Sequence, residues 1–222
     1  MLKLKWDVIG KREYETGTSK GVLFPQLETG NYDKGVAWSG LVAVKQSPDG
    51  AEETPIYADN IKYLSLMSAE NFKGSIEAFT YPEEFEACDG SKAIGEGVYA
   101  GQQNRQQFGL VYSTIVGNDT EGNAYGEKMH FIYNARVSPS ARDYETVNDT
   151  PNAITFSWDF TTTPVAVDDI AILDNPTAYI VADSTKMAEG KMEALKEMVY
   201  GESAEESKMP TIDEVITLLT TP

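Results

Sequence analysis

Ile154-Thr-Phe-Ser-Trp-Asp-Phe-Thr161 alternates apolar and polar residues without a fault. Successive side chains of a strand point to opposite faces, so Ile154, Phe156, Trp158 and Phe160 share one face. That pattern belongs to an antiparallel strand with one side in a core and the other in water. Two denser strand signals lie upstream, Phe108–Val116 and Lys128-Met-His-Phe-Ile-Tyr-Asn-Ala-Arg-Val137, with Gly117-Asn-Asp-Thr-Glu-Gly-Asn123 between them as a hairpin loop. A further strand is expected at Ala178–Ala182.

Moving toward the N-terminus, Tyr81-Pro-Glu-Glu-Phe-Glu-Ala-Cys-Asp-Gly90 reads as a short helix. Pro82 suits a first helical turn, the acids favour the positive end, and Gly90 can cap the C-terminus. The Gly- and Gln-rich stretch 90–107 reads as a long loop. Phe72–Phe79 and Ile61–Met67 are two expected strands, and Val36–Lys45 is the first clear one. Between them, Gln46–Pro55 holds the turn Ser47-Pro-Asp-Gly50, in which proline presets φ and glycine accepts positive φ. With Glu52 and Glu53 it reads as an exposed loop. Residues 1–35 are polar and spaced by glycines, an extended arm with a short strand at Val22–Phe24.

After Asp183 the composition changes. Ser184–Tyr200 reads as a helix with Met187, Ala188, Met192, Leu195, Met198 and Val199 on a broad apolar face, stopped by Gly201. Pro210 starts a second helix striped by Ile212, Val215, Ile216 and Leu219. These apolar faces need a partner, either the chain's own domain or a neighbouring subunit. The expected fold is mainly β: an antiparallel β-sandwich or barrel with one short flanking helix and a small C-terminal helical extension. Its expected parts are an arm over 1–35, a β domain over 36–183 and an acidic helical extension over 184–222.

A chain of 222 residues accommodates one β-rich domain with an appendage or two small domains, and 41% hydrophobic residues suffice for an ordinary core. No run of 18 apolar residues occurs, so no transmembrane helix is expected. Met1-Leu-Lys-Leu-Lys-Trp6 is basic but has no apolar run behind it, unlike a secretory signal. The expectation is a chain made in the cytoplasm. Its lone Cys88 cannot form an internal disulfide and reads as a buried, inert thiol. A net charge of −17 disfavours phosphate neutralisation and anionic membranes, and reads as a solvated acidic surface.

Chemistry-bearing motifs are sparse. With one histidine, a Ser-His-Asp triad could run only through His130, which sits in a strand pattern and reads as a satisfied structural residue. One Cys and one His cannot build a structural zinc site. Gly95-Glu-Gly-Val-Tyr-Ala100 matches a dinucleotide fingerprint by letters, yet no strand precedes it and Glu96 would meet the phosphate. Gly117–Glu127 lacks the residue order of a calcium loop. Asn118-Asp-Thr and Asn148-Asp-Thr are formal glycosylation sequons that read as turns. Acid pairs such as Glu83-Glu84 and Asp168-Asp169 do not by themselves define a sugar cleft. Among the tryptophans, Trp38 and Trp158 read as core rather than as a sugar platform with Trp6. No catalytic, cofactor-binding or metal residue is assigned.

The chain resembles the major tail proteins (tail tube proteins) of long non-contractile phages of Gram-positive bacteria. The resemblance rests on Tyr57-Ala-Asp-Asn60 ahead of Ile61–Met67, on Gly74–Gly90, and on an ordered set: Phe108-Gly-Leu-Val-Tyr112, His130–Arg136, Ser138-Pro-Ser140 and Trp158-Asp-Phe-Thr-Thr-Thr-Pro164. It covers roughly residues 36–165. It implies a non-enzymatic structural protein whose hexameric rings stack into a tube, part of the virion, through which DNA passes without being bound. Implied partners are other copies of the chain and tail proteins such as the tape-measure and tail-terminator proteins. Six copies at −17 carry −102 per ring, and an acidic lining would repel passing phosphate. Ser47, Asp49, Glu52 and Glu53 are candidates for ring stacking, with the arm, and Glu70 and Glu77 for lumen-facing acids. The alternatives are a β-sandwich binding module of a phage particle, for carbohydrate or receptor, and a carboxylate-pair hydrolase.

Overall fold

The computed structural model describes residues 3–146, 153–167, 173–202 and 206–220. Asp168-Asp169 and Asn148 lie outside the described residues. The chain is mainly β with antiparallel sheets, and three short helices occur among the described residues.

The main sheet is built from β1 (Glu13–Pro25), β2 (Val36–Trp38), β3 (Leu41–Gln46), β8 (Lys73–Ala78), β11 (Phe108–Asn118), β12 (Gly122–Val137), β13 (Phe156–Thr162) and β14 (Tyr179–Asp183). Its order is β2-β1-β11-β12-β13-β8-β3, with β14 paired to the lower half of β12. The two ends of that path belong to one stretch of chain. Val36–Gln46, expected as a single strand, bends at Ser39-Gly40, where Gly40 takes φ +79°. Its first half pairs with β1 and its second with β8, so the sheet closes on itself as a barrel.

Two cores follow from this closure. Inside the barrel sit Leu23, Trp38, Ile76, Phe108, Leu110, Trp158 and Phe160. Helix α1 (Phe85–Asp89) plugs one end: the Phe85 ring lies 4.6 Å from Trp38, 5.1 Å from Trp158 and 5.5 Å from Phe108. Gly90, at φ +84°, closes this helix by donating its N–H to the Glu86 carbonyl, the cap expected from sequence. Outside the barrel, Val22, Phe24, Val111, Met129, Phe131 and Tyr133 form a second core beneath α2 (Lys191–Tyr200) and α3 (Ile212–Thr220). Thr211 and Glu214 cap α3 reciprocally, each accepting the other's backbone N–H.

The expected division into arm, domain and extension does not follow these contacts. Glu13–Pro25, within the expected arm, lies between β11 and β2, and its Val22-Leu-Phe24 is buried on both faces. The helices expected as an extension cover the sheet's outer face through Met192, Leu195, Val199, Ile212 and Val215. Of the two occupants open for their apolar faces, the chain's own sheet is the one observed. The first helix starts later than expected, at Lys191, because Gly190 takes φ +81° before it.

Stretches expected as loops are hairpins. The stretch 46–56 carries β4 (Asp49–Gly50) and β5 (Glu53–Ala58), which pair with β7 (Glu70–Asn71) and β6 (Ile61–Met67). The result is a long two-stranded ribbon leaving the barrel between β3 and β8. Asp59 and Asn60 at its tip both have positive φ, 50° and 65°, the turn whose twist suits a two-residue hairpin. Within 90–107, β9 (Lys92–Gly95) and β10 (Val98–Ala100) form a second, short hairpin. The fingerprint-like Gly95-Glu-Gly97 is its tight turn, with Gly97 at φ +69°.

Candidate functional site

The ribbon has two unlike sides. Cross-strand partners share a face, and the register pairs Thr54 with Leu66, Ile56 with Leu64 and Ala58 with Ile61. A bulge beside Tyr57 leaves Tyr63 without a direct partner and keeps the three pairs on one side. On the opposite side Lys62 Nζ and Ser65 Oγ both donate to the Glu53 carboxylate. That side therefore carries an ion pair, with the exposed side chains of Tyr57 and Met67 beside it. The other presents Ile56, Ile61, Leu64 and Leu66 to solvent, with Ile61 65% and Leu66 56% exposed. Further exposed apolar side chains sit on Leu4, Trp6 and Ile9, and on Ile94 and Val98 of the short hairpin.

The residues singled out for ring stacking fall on this ribbon. The Ser47 backbone N–H donates to the Lys73 carbonyl at its root. Asp49 accepts Nζ of Lys73 at 2.6 Å, which holds its carboxyl below the usual range. The Glu52 backbone bonds in both directions to Ser68. Glu53 holds Lys62, and that contact likewise lowers its pKa. Of the two acids singled out for a lumen, Glu70 is exposed on β7 at the ribbon's base. Glu77 stands on the outer side of β8, where its carboxylate receives Nζ of Lys45 at 2.5 Å.

His130 is the centre of a polar cluster at the barrel mouth opposite in character to the aromatic end. Its Nδ1 lies 2.6 Å from the Tyr179 hydroxyl and its Nε2 2.9 Å from Thr114 Oγ1. Thr114 donates to Glu15 at 2.6 Å, and Lys128 Nζ reaches the other Glu15 oxygen. The Tyr112 ring stacks on the imidazole at 4.6 Å and 3°. Burial pushes the His130 pKa below its ordinary value, partly opposed by the Glu15 charge. Both ring nitrogens are engaged, and the Thr114 proton is directed at Glu15, so His130 is not the group that receives it.

The remaining candidates sit as structural residues. Trp38 and Trp158 are 3% and 1% exposed, in the barrel core as expected, while Trp6 is exposed. Cys88 is buried, and desolvation pushes its thiol up to about 12, which removes the thiolate as a nucleophile at neutral pH. Glu83 accepts the Tyr99 hydroxyl at 2.7 Å. Gly117–Glu127 is the expected hairpin tip, where Asn118 Oδ1 accepts the N–H groups of Thr120 and Glu121.

Sequence reasoning did not find the apolar side of the ribbon. Its signal was present: Tyr57-Ala-Asp-Asn60 followed by Ile61–Met67 is a hairpin turn joining two strands, and the register needed to see one apolar side depends on the bulge. No known family matches the chain, and no curated protein matches it.

Proposed function

We propose that the chain is a structural protein that polymerises as stacked hexameric rings into a phage tail tube, an acidic conduit for genome passage. The observation that carries this reading is the ribbon's uncovered apolar side. A two-stranded ribbon is marginal in water by itself. One that also exposes Ile56, Ile61, Leu64 and Leu66 together gains stability only when another surface covers it. The opposite side holds the Glu53–Lys62 ion pair, with Tyr57 and Met67 exposed beside it.

Strand edges add support. The Glu13–Lys20 half of β1 pairs only with β11, and β14 pairs only with β12, among the described residues. The four strands β1, β11, β12 and β14 alternate in direction, so β14 of one copy and β1 of the next can continue the same antiparallel ladder. Open edges of this kind join copies unless covered. The ring number and the phage setting rest on the sequence resemblance, as do a place in the virion and the partners, the tape-measure and tail-terminator proteins. Among the described residues no helix is long and apolar enough to cross a membrane.

Light scattering and negative-stain microscopy of concentrated protein test the reading. Tubes with a central channel are expected. A chain that stays monomeric at every concentration overturns it, and a trimer with a concave aromatic patch would favour a binding module instead.

A further inference from the structure

Tyr179 stands where the barrel meets the root of the ribbon. Its ring stacks on Phe72 at 4.5 Å and 9°, and its hydroxyl receives Nε2 of Gln46 at 2.5 Å. Gln46 ends β3 and Phe72 precedes β8, so these residues bracket the stretch 47–71 that forms the ribbon. The same Gln46 amide also donates to the Tyr112 hydroxyl at 2.8 Å. Both sides of the ribbon's root are thus held by one tyrosine.

The donors and acceptors fix a direction through this cluster. Thr114 spends its proton on Glu15, so its oxygen accepts from His130 Nε2–H. In the neutral ring Nδ1 is then bare and accepts the Tyr179 proton, leaving the Tyr179 oxygen to accept from Gln46. The chain runs Gln46, Tyr179, His130, Thr114, Glu15, with Lys128 bound to the far Glu15 oxygen. A protonated ring has two donors and breaks this order: the Tyr179 hydroxyl must turn its proton away from Nδ1, and the ring then competes with Gln46 for the same oxygen.

We propose that His130 and Tyr179 form a proton-sensitive latch that fixes the root of the ribbon and releases it on acidification. The groups facing the imidazole are Glu15 from β1, Tyr112 and Thr114 from β11, Lys128 from β12, Tyr179 from β14 and, through Tyr179, Gln46 from β3. Glu15 attracts the imidazolium, but its charge is already shared with Lys128. Burial of the ring favours the neutral form of the latched state, so a proton shifts the population toward a state in which the ring is hydrated. Tyr179 acts as a positioning residue: it transmits the state of His130 to Gln46 and Phe72.

The latch belongs to the single chain, so its test does not require tubes. The chain has one histidine, and its imidazole protons give an unambiguous NMR titration. Amide exchange of residues 53–67, corrected for intrinsic rates, is followed in the unassembled chain from about pH 7.5 to about pH 5, across the ordinary range of histidine. In the wild type the protection of the ribbon is expected to fall along the His130 titration by more than that of β11 and α2, whose amides lose only what global stability loses. Tyr179→Phe keeps the stack on Phe72 and removes the hydroxyl; its ribbon is expected to be less protected at neutral pH and to lose the pH-dependent fall. Gln46→Ala, at an exposed position, is expected to lower ribbon protection without moving the His130 titration far. Ribbon protection that ignores the His130 titration, or that is unchanged in both variants, overturns the proposal. So does a loss of protection in β11 and α2 as large as the ribbon's, which would make the ribbon a passenger of the whole fold.

Discussion

Ile56 and Leu64 face each other across the ribbon ladder, and both remain 40% exposed. An apolar pair placed this way costs the monomer little to replace, since it packs against solvent, but a great deal to any surface that must cover it. Leu64→Glu is therefore expected to leave the unfolding free energy within about 0.5 kcal/mol of the parent, the usual range for surface substitutions. In a tube it would bury a carboxylate without a partner, so tubes should be absent by negative-stain microscopy. Normal tubes from a folded Leu64→Glu chain would remove the ribbon from the assembly surface.

The second core makes a contrasting claim about the C-terminal helices. Leu195 is fully buried against the sheet face that holds Val22, Val111, Met129 and Phe131. Leu195→Ala is expected to cost about 2–5 kcal/mol, the range for buried leucines, read as a lower urea midpoint with an unchanged slope. If the helices were a detachable extension, the main transition would stay where it is and a separate early one would appear.

How far the sequence led depended on what covers each strand. Phe156–Thr161 was legible because its inner face meets Phe85 and Trp38 and its outer face, with Ser157 and Asp159, turns toward water, whereas Ile154, expected on the core face, precedes the strand and is exposed. β1 was legible only at Val22–Phe24, expected as a short strand: its first half is exposed and carries no apolar alternation, so the strand's length did not show. Val22 and Phe24 are buried by Val111 and the helices near the other end of the chain, and Leu23 by the barrel interior. The ribbon's first arm read as a loop because Pro48, Gly50 and Pro55 are turn residues by local rule. Pro55 is tolerated there because the ribbon is two-stranded and each strand has a free edge. Of the candidate site residues, the sequence picked the acids of the ribbon and missed the apolar residues beside them. The latch at His130 joins β1, β3, β11, β12 and β14, and no local spacing brings those five together.

Phosphate binding offers an independent check on the conduit. The chain's net charge is −17, and its densest basic group is Lys3, Lys5, Lys11 and Arg12. Arg12 already donates to the Asp7 carbonyl and stands 3.9 Å from Asp119. Affinity for duplex DNA is expected to be weaker than about 10⁻⁴ M, the loose end of ordinary nonspecific binding. A short duplex mixed with assembled protein at low salt should migrate unretarded. A retarded band that weakens steeply with salt would reveal a phosphate-binding surface and end the case for a repelling lining.

The direction of the His130 shift also sets how global stability responds to acid. Its ordinary pKa is 6.5, and burial lowers the folded value. Above pH 6.5 the ring is neutral in both folded and unfolded chains, and its contribution is fully present. As pH falls below 6.5, the unfolded chain takes up a proton that the folded chain resists, so stability is lost down to the lowered folded value. The slope for one proton cannot exceed about 1.4 kcal/mol per pH unit. Glu15 and Asp183 have ordinary values of 4.5 and 3.8, both lowered in the fold. Their contributions are lost only below those values, a separate step at lower pH. Urea midpoints measured at about pH 7.5, 6.5 and 5.5, within the range where histidine titrates, should therefore decline in the wild type. His130→Phe keeps a flat ring against Tyr112 and has nothing to protonate, so its midpoints should be level over the same range whatever their absolute height. An equal decline in His130→Phe would place the acid sensitivity among the carboxylates, and would show that the buried histidine carries no measurable share of it.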